Sequence, residues 1–504
     1  MLLQFDQRRR ITGEWQRNKG FVCVQDRISV GCMRTHNRLV LPFRPSLPFA
    51  LLVALLIVLW IAGGASRADA LGQTVVRAST WLSVIVAILF SGRPSVGTAR
   101  PVALILLAAT VLVLLQLVPL PPDIWQSLPG RRILTEAAAA SGQTQPWRPW
   151  SIVPAATLNA LSSLIVPTAA LIFVAGLKES ERALLLPLIL CLAAASTMVG
   201  LLQFSGVALD NPLINESPGQ VSGNFANRNH FAVFLALGCL VAPIWATLNG
   251  RRPGWRGPAA FGLVLLFVLT ILASGSRAGL ILGLLALVLG PVIAQRGIRS
   301  ALRKYPRWAL PTLIAGVVSG IAILVLASVA ANRAVSIDRL FWADEGQDMR
   351  SRGLPTVLAM IRSYFPAGSG LGGFDPIFRM HEPFSLLKPT YFNHAHNDLL
   401  EIVLDAGFPG LLLLIIALLW WLGASARAWQ AGAGMQHALP KLGSAMLLLI
   451  LVASAFDYPA RTPIMMAIGI IAAIWLSSGK PHHGKHGFTN EVPAPIADAS
   501  SRYS

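Results

Sequence analysis

The sequence predicts an all-α, polytopic membrane protein of about twelve transmembrane helices with one large periplasmic loop. Three observations carry that prediction. Of 504 residues, 54% are hydrophobic and only 12% charged, with a mean hydropathy of +0.62, a balance foreign to a soluble domain of this length. Runs of roughly 20 mostly apolar residues, long enough to cross the hydrocarbon of a bilayer, recur along most of the chain. The alternating pattern of barrel strands is missing, so helices must satisfy the backbone inside the membrane.

The expected spans lie near 47–65, 75–90, 102–120, 158–177, 183–202, 229–248, 259–274, 280–294, 310–329, 409–422, 442–456 and 463–477. The second is the least apolar, because Arg77 and Ser79 sit near its start, where a long cationic side chain can snorkel. The chain therefore divides into a basic cytoplasmic tail (1–46), nine spans (47–329), a large periplasmic loop (330–408), three further spans (409–477) and a disordered cytoplasmic tail (478–504).

Orientation follows from Lys and Arg, which in short loops stay cytoplasmic. The N-terminal tail carries Arg8, Arg9, Arg10, Arg17, Lys19, Arg27, Arg34, Arg38 and Arg44. The loops predicted to share its side hold Arg93 and Arg100, Lys178 and Arg182, Arg251, Arg252 and Arg256, then Arg296, Arg299, Arg303, Lys304 and Arg307. Both termini are thus expected inside the inner membrane. The excess of 41 Lys+Arg over 22 Asp+Glu reads as this bias together with contact to anionic membrane lipid, and no nucleic-acid partner is expected. No cleavable signal peptide is expected, since the first apolar run starts near residue 47 without a small-residue cleavage site; Met33 offers an alternative start. The cysteines, Cys23, Cys32, Cys191 and Cys239, avoid the outer loops, so neither a disulfide framework nor a cysteine metal site is predicted.

Polar chemistry collects in the loops on the other side, chiefly 121–157, 203–228 and 330–408, and connections of this length are usually functional. The last ends in Asn393-His394-Ala395-His396-Asn397-Asp398-Leu399-Leu400-Glu401 and continues to Gly407-Phe408-Pro409-Gly410. Asp398 and Glu401 have capping-box spacing with Asp in place of Ser or Thr, Leu399, Leu400, Val403 and Leu404 form an apolar stripe, and Gly407 with Pro409 supplies a stop. His396 then precedes a helix N-terminus, whose positive end attracts anions and favours a neutral imidazole able to accept a proton. A plain hydrogen-bonding role in the loop is the alternative for His394 and His396. Metal binding with His381 or Glu382 lacks a third ligand at a diagnostic spacing, so no metal and no cofactor is expected.

Upstream in this loop lie Arg333, Arg339, Arg350 and Arg352, followed by Leu354, Val357, Leu358 and Ile361 at helical spacing; Pro355 restricts where that helix begins. Its end, Pro366-Ala367-Gly368-Ser369-Gly370-Leu371-Gly372-Gly373, permits a tight turn and close backbone approach, with no Rossmann unit to make it a dinucleotide fingerprint. The short turn Ser274-Gly275-Ser276-Arg277-Ala278-Gly279 puts one guanidinium at headgroup depth, where its planar fork suits a phosphate; a snorkelling anchor is the alternative. Finally, Ser222-Gly223-Asn224-Phe225-Ala226-Asn227-Arg228-Asn229-His230 opens a span with amides that can cap it or bind sugar hydroxyls.

In order and placement these motifs resemble the O-antigen ligase-like membrane proteins, a family of O-antigen ligases, O-antigen polymerases and protein O-oligosaccharyltransferases, over about residues 200–420. The resemblance implies a GT-C-like fold and metal-independent, inverting transfer from an undecaprenyl-diphosphate-linked glycan to a hydroxyl of an acceptor glycolipid or glycan. It implies His396 as general base, with His394 as second choice, and Arg277 with Arg350 on the donor pyrophosphate. Arg352 competes with Arg350 for one family position. Asn224, Asn227, Asn229, Asn397 and Glu401 are expected to bind or support substrate. Ligase, with lipid A core as acceptor, is the first choice, polymerase the second and protein-directed transferase the third. A transporter or flippase is disfavoured, because the span centres are nearly free of charge and no paired interrupted helices occur.

The orientation is testable with C-terminal fusions in the intact host: green fluorescent protein joined after residue 477 is expected to fluoresce, and alkaline phosphatase at the same point to stay inactive.

Overall fold

The computed structural model describes residues 44–479, except 95–96, 208, 210, 215–218, 249–253, 304–305, scattered positions between 309 and 326, 327–348, 388–391, 433 and 435–436. The two tails, most of the span expected at 310–329, and Arg333 and Arg339 lie outside the described residues. The fold below is that of the unit beginning at Ser46.

Helices account for nearly all of it: α1 (Leu47–Ala62), α2 (Leu71–Phe90), α3 (Arg100–Gln116), α4 (Pro122–Ser127), α5 (Arg132–Ala140), α6 (Pro154–Ser163), α7 (Ile165–Ala175), α8 (Glu179–Arg182), α9 (Leu185–Phe204), α10 (Arg228–Thr247), α11 (Arg256–Ser274) and α12 (Arg277–Leu302). After the break come α13 (Met349–Tyr364), α14 (Phe374–His381), α15 (Asp398–Gln430), α16 (Ala438–Ser454) and α17 (Pro463–Ser477). Among the described residues, 7 stretches are long and apolar enough to span a membrane: α2, α6 with α7, α8 with α9, α10, α11, α12 and α15. The helices α1, α3, α16 and α17 are apolar but shorter. The expected span 158–177 is thus two helices meeting at Leu164, and the span expected from 409 is continuous with the loop helix before it.

The bundle is organised around α10, which is buried along nearly its whole length. Asn227 caps it by accepting a hydrogen bond from the Asn229 amide at 2.8 Å. Small residues let α12 approach closely. A Cβ added at Gly279, Gly290 or Gly297 would fall 2.2 Å from Ala232 Cβ, 2.8 Å from Pro243 Cγ and 2.4 Å from Thr247 Cβ. The main core extends from α10 through α1, α7, α9, α11, α16 and α17.

The long loop has a core of its own. Val357, Met360 and Tyr364 from α13 meet Phe374, Ile377 and Phe378 from α14, with Leu386, Phe392 and Leu404 closing the cluster. The buried face of α13 therefore differs from the stripe read in the sequence: Leu354 and Leu358 are exposed, because the aromatic cluster selects Val357, Met360 and Tyr364. Pro355 is tolerated within the second turn of α13.

The glycine-rich segment 366–373 has a structural job. Ser369 and Gly370 donate their amides to the carbonyls of Leu404 and Asp405 at 2.9 and 2.8 Å, and Gly372 donates to Asp405 Oδ2 at 3.2 Å. These bonds satisfy carbonyls that the first part of α15 would otherwise leave unpaired where it breaks. The break is Gly407, at φ 57° and ψ −143°, and Phe408 donates back to the Pro366 carbonyl at 2.8 Å. The other outer loop seals this segment from above. Arg131, buried, donates to the carbonyls of Trp150 and Gly368 at 2.7 and 2.9 Å, Trp150 Nε1 to Ala367 at 2.9 Å, and Thr157 Oγ1 to Leu371 at 2.8 Å. A two-residue ladder, β1 (Pro119–Leu120) against β2 (Arg148–Pro149), closes its base.

Gly407→Ala tests this junction. The new Cβ would stand 2.0 Å from the Pro366 carbonyl oxygen in a conformation reserved for glycine, so a loss of at least about 1–3 kcal/mol is expected, read as a lowered Tm of the solubilised protein.

Candidate functional site

Four connections that the sequence assigns to one side of the membrane converge: 222–229 before α10, 275–276 before α12, 393–397 before α15 and 457–462 between α16 and α17. Each begins or ends an apolar helix, so the polar residues that punctuate the spans are delivered to a common level.

At the centre lies Asp457, 2% exposed. Its Oδ1 faces His396 Nδ1 at 3.0 Å and accepts from the Tyr458 amide at 3.0 Å, with His230 Nε2 at 3.7 Å. Its Oδ2 accepts from Asn229 Nδ2 at 2.6 Å, Arg350 Nη2 at 3.1 Å and Asn227 Nδ2 at 3.2 Å. Burial by itself would raise this carboxyl, but the nearby His230, the hydrogen bond to His396 and the positive charge of Arg350 hold it well below the usual carboxylate range. An ionised Asp457 accepts a hydrogen bond from His396 Nδ1–H, the tautomer that leaves the lone pair on Nε2. His396 itself adopts φ 51°, the only positive φ outside glycine among the described residues. Phe392 and Tyr458 flank its ring, with centroids 5.0 Å away on each side.

His394 belongs to a separate arrangement. Its Nδ1 meets Glu401 Oε1 at 2.9 Å, and Glu401 also accepts from the Ala395 amide at 2.7 Å and pairs with Arg461 Nη1 at 3.0 Å. Arg461 Nε binds Asp398 Oδ1 at 2.7 Å, and Ser454 donates to Asp398 Oδ2 at 3.0 Å. Although burial opposes it, the charges of Glu401, Asp398 and Asp405 raise Arg461 above the ordinary arginine range. Tyr458 packs against both histidines, its ring centroid 4.2 Å from that of His394 and 5.0 Å from that of His396; burial, reinforced by the Asp457 charge, pushes its phenol up. The expected capping box is corrected here. The cap of α15 is Asn397, which accepts from the Leu400 amide at 3.1 Å, because Asp398 and Glu401 are committed to Arg461 and the Ala395 amide.

The remaining predicted residues separate clearly. Arg277 opens α12 beside Ser276, whose hydroxyl donates to Asn229 Oδ1 at 2.8 Å, which sets Arg277 next to the Asp457 network. Its guanidinium is half-buried and has no hydrogen-bond or ionic partner among the described residues. Arg350 reaches Asp457, whereas Arg352 points to the Ser385 carbonyl at 2.6 Å and does not join the cluster. Asn224 is tied to Ser196 and to the Trp60 carbonyl at 2.5 and 2.6 Å, a contact that fixes the loop to α1 and α9 instead of lining the site. Asn397 donates to the Ala455 carbonyl at 2.9 Å. His381, exposed, binds the Tyr364 hydroxyl at 2.9 Å at the edge of the loop core.

Asp457, Tyr458, Arg461 and His230 were not singled out from sequence. The available signal was the run Asp457-Tyr458-Pro459-Ala460-Arg461, two opposite charges in a short outer turn between apolar spans.

Residues 261–415 match the family model described as O-Antigen ligase. The match contains Arg277, Arg350, Arg352, His394, His396, Asn397 and Glu401; the asparagines before α10, His230 and Asp457 lie outside it. No curated protein matches the chain.

The depressed pKa of Asp457 has a thermodynamic consequence. Its contribution to stability is fully present above its unfolded pKa near 3.9 and is lost as pH falls through the lower folded value. Asp457→Asn is therefore expected to cost about 3–5 kcal/mol at pH 7, and the deficit relative to wild type should shrink below about pH 4, in unfolding curves recorded across that range.

Proposed function

We propose, for a chain that is O-antigen ligase-like over residues 261–415, a membrane glycosyltransferase that moves an undecaprenyl-diphosphate-linked glycan onto a hydroxyl of the lipid A core at the periplasmic face of the inner membrane. The observation that carries this reading is the His396 imidazole oriented by the buried Asp457 carboxylate, with Arg350 on the same carboxylate and Arg277 nearby.

The chemistry follows from that orientation. His396 Nε2 takes the proton of the acceptor hydroxyl as its oxygen attacks the anomeric carbon of the donor sugar. The bond between that carbon and the diphosphate oxygen breaks, and the electron pair leaves with the polyprenyl diphosphate. One displacement inverts the configuration. Asp457 stabilises the imidazolium that forms, as the carboxylate of a serine-protease triad does. Arg277, with no acidic partner of its own among the described residues, holds the diphosphate and stabilises the charge that grows on it. Arg350 is committed to Asp457 and to the Phe456 carbonyl at 3.1 Å, so its contribution is first to position the base. The polymerase reading uses the same groups and replaces the acceptor with a second lipid-linked repeat.

The test is deletion in the host, complemented with wild type, His396→Ala or His394→Ala at equal membrane levels, followed by gel separation of surface glycolipids. His396→Ala is expected to lower transfer by about 10²–10⁴-fold. Loss of all long glycan from the core, with lipid-linked polymer accumulating, supports a ligase; a core bearing one repeat supports a polymerase. Full complementation by His396→Ala would remove His396 as the base, and loss confined to His394→Ala would move that role to the His394–Glu401 pair.

A further inference from the structure

A cavity of about 680 Å³ opens between α2, α3, α6 and α15; neither His396 nor Asp457 lines it, and no step of the transfer uses it. Its two ends differ chemically. The rim carries Arg67, Asp69, Arg77, Asp375, His394 and Arg461. The base is a channel with Ala109, Leu112 and Val113 of α3 on one side and Leu413, Leu414 and Ala417 of α15 on the other. Both sets recur at helical spacing, so each helix turns one continuous apolar face into the channel. From Gly410 to Ala417 the lining descends about 10 Å along α15, into the depth that a lipid chain occupies.

Charge accounting at the rim singles out one residue. Asp69 is paired with Arg67, Asp375 with Arg379 at 2.7 Å, Arg461 with Asp398 and Glu401, and His394 with Glu401. Arg77 has no acidic partner among the described residues. One Nη donates to Asn159 Oδ1 at 2.7 Å, while its Nε is buried and makes no hydrogen bond. A buried guanidinium donor left unmet is costly, and the guanidinium fork matches two oxygens of a phosphate.

We infer that this cavity binds a single-chain anionic lipid, its phosphate on Arg77 and its hydrocarbon chain in the channel between α3 and α15. One apolar channel takes one chain, and Arg77 is the rim cation without an acidic partner among the described residues, which suits one phosphate. The site is distinct from the one assigned to the donor diphosphate at Arg277, which does not line the cavity. It does not depend on the transfer assignment, because it rests on the cavity and on Arg77 alone.

Native mass spectrometry of the full-length detergent-solubilised protein tests it, with 1-palmitoyl lysophosphatidic acid as probe and monopalmitoylglycerol and inorganic phosphate as comparators. One lysophosphatidic acid should bind, and each comparator should bind more weakly by about tenfold or more, since each lacks one half of the interaction. Arg77→Gln, which retains a donor for Asn159, should weaken lysophosphatidic acid binding by about tenfold. Ala417→Trp, which fills the channel and leaves Arg77 intact, should weaken it as well. Unchanged affinity in both variants, or equal binding of monopalmitoylglycerol, overturns the inference. Loss of binding in Arg277→Ala with retention in Arg77→Gln overturns it too, by placing the phosphate at the donor arginine. Transfer activity is not the readout, so a failure of the His396 test leaves this result interpretable.

Discussion

The end of the bundle that carries the candidate site depends on one buried anion. A carboxylate taken out of water with no partners costs several kcal/mol, and Asp457 is kept ionised by drawing donors from well-separated parts of the chain. Asn227 and Asn229 come from the start of α10, Arg350 from α13, His396 from the segment before α15, and the Tyr458 amide from its own turn. Whatever places Asp457 therefore also places the base, the loop arginine and the amides. The positive φ of His396 belongs to the same constraint, since a local cost of about 1–3 kcal/mol persists only where surrounding contacts over-determine it.

A second ionic network supports the first. Arg461 joins the turn between α16 and α17 to Asp398 and Glu401 on the first two turns of α15, and Glu401 in turn holds His394 and the Ala395 amide. The two histidines, separated by one residue, are thus assigned to different carboxylates, and both rings pack against Tyr458. Residues at alternate positions of an irregular segment need not share a face, and here the Asn397 cap and the His396 backbone turn separate them. The consequence for function is that His396 shares its carboxylate with Arg350 of α13, whereas His394 shares Glu401 with Arg461.

The long loop shows why an extended insertion can be ordered without a membrane around it. Its aromatic cluster supplies a small core, and its glycine segment terminates the first part of α15 by giving backbone amides to carbonyls that have no helical partner. The sequence motif Pro-x-Gly-x-Gly-x-Gly suggested close backbone approach, and the structure identifies what is approached: the helix break at Gly407 and the loop 121–157 that covers it.

Several features were legible in the sequence because they are local. Apolar runs of membrane-spanning length, the position of His396 just before a helix, the break at Gly407 and the amide-rich start of α10 all follow from spacing within a few residues. Others were decided only by the tertiary structure. Asp457 lies 61 residues from His396 and 228 from Asn229, and no periodicity links such positions. The same distance problem hid the choice of Arg350 over Arg352, the structural role of Asn224 and the division of His394 from His396. Composition and pattern determine that polar residues must leave the apolar spans; which of them meet depends on how the helices pack, and that is where a buried carboxylate finds its donors.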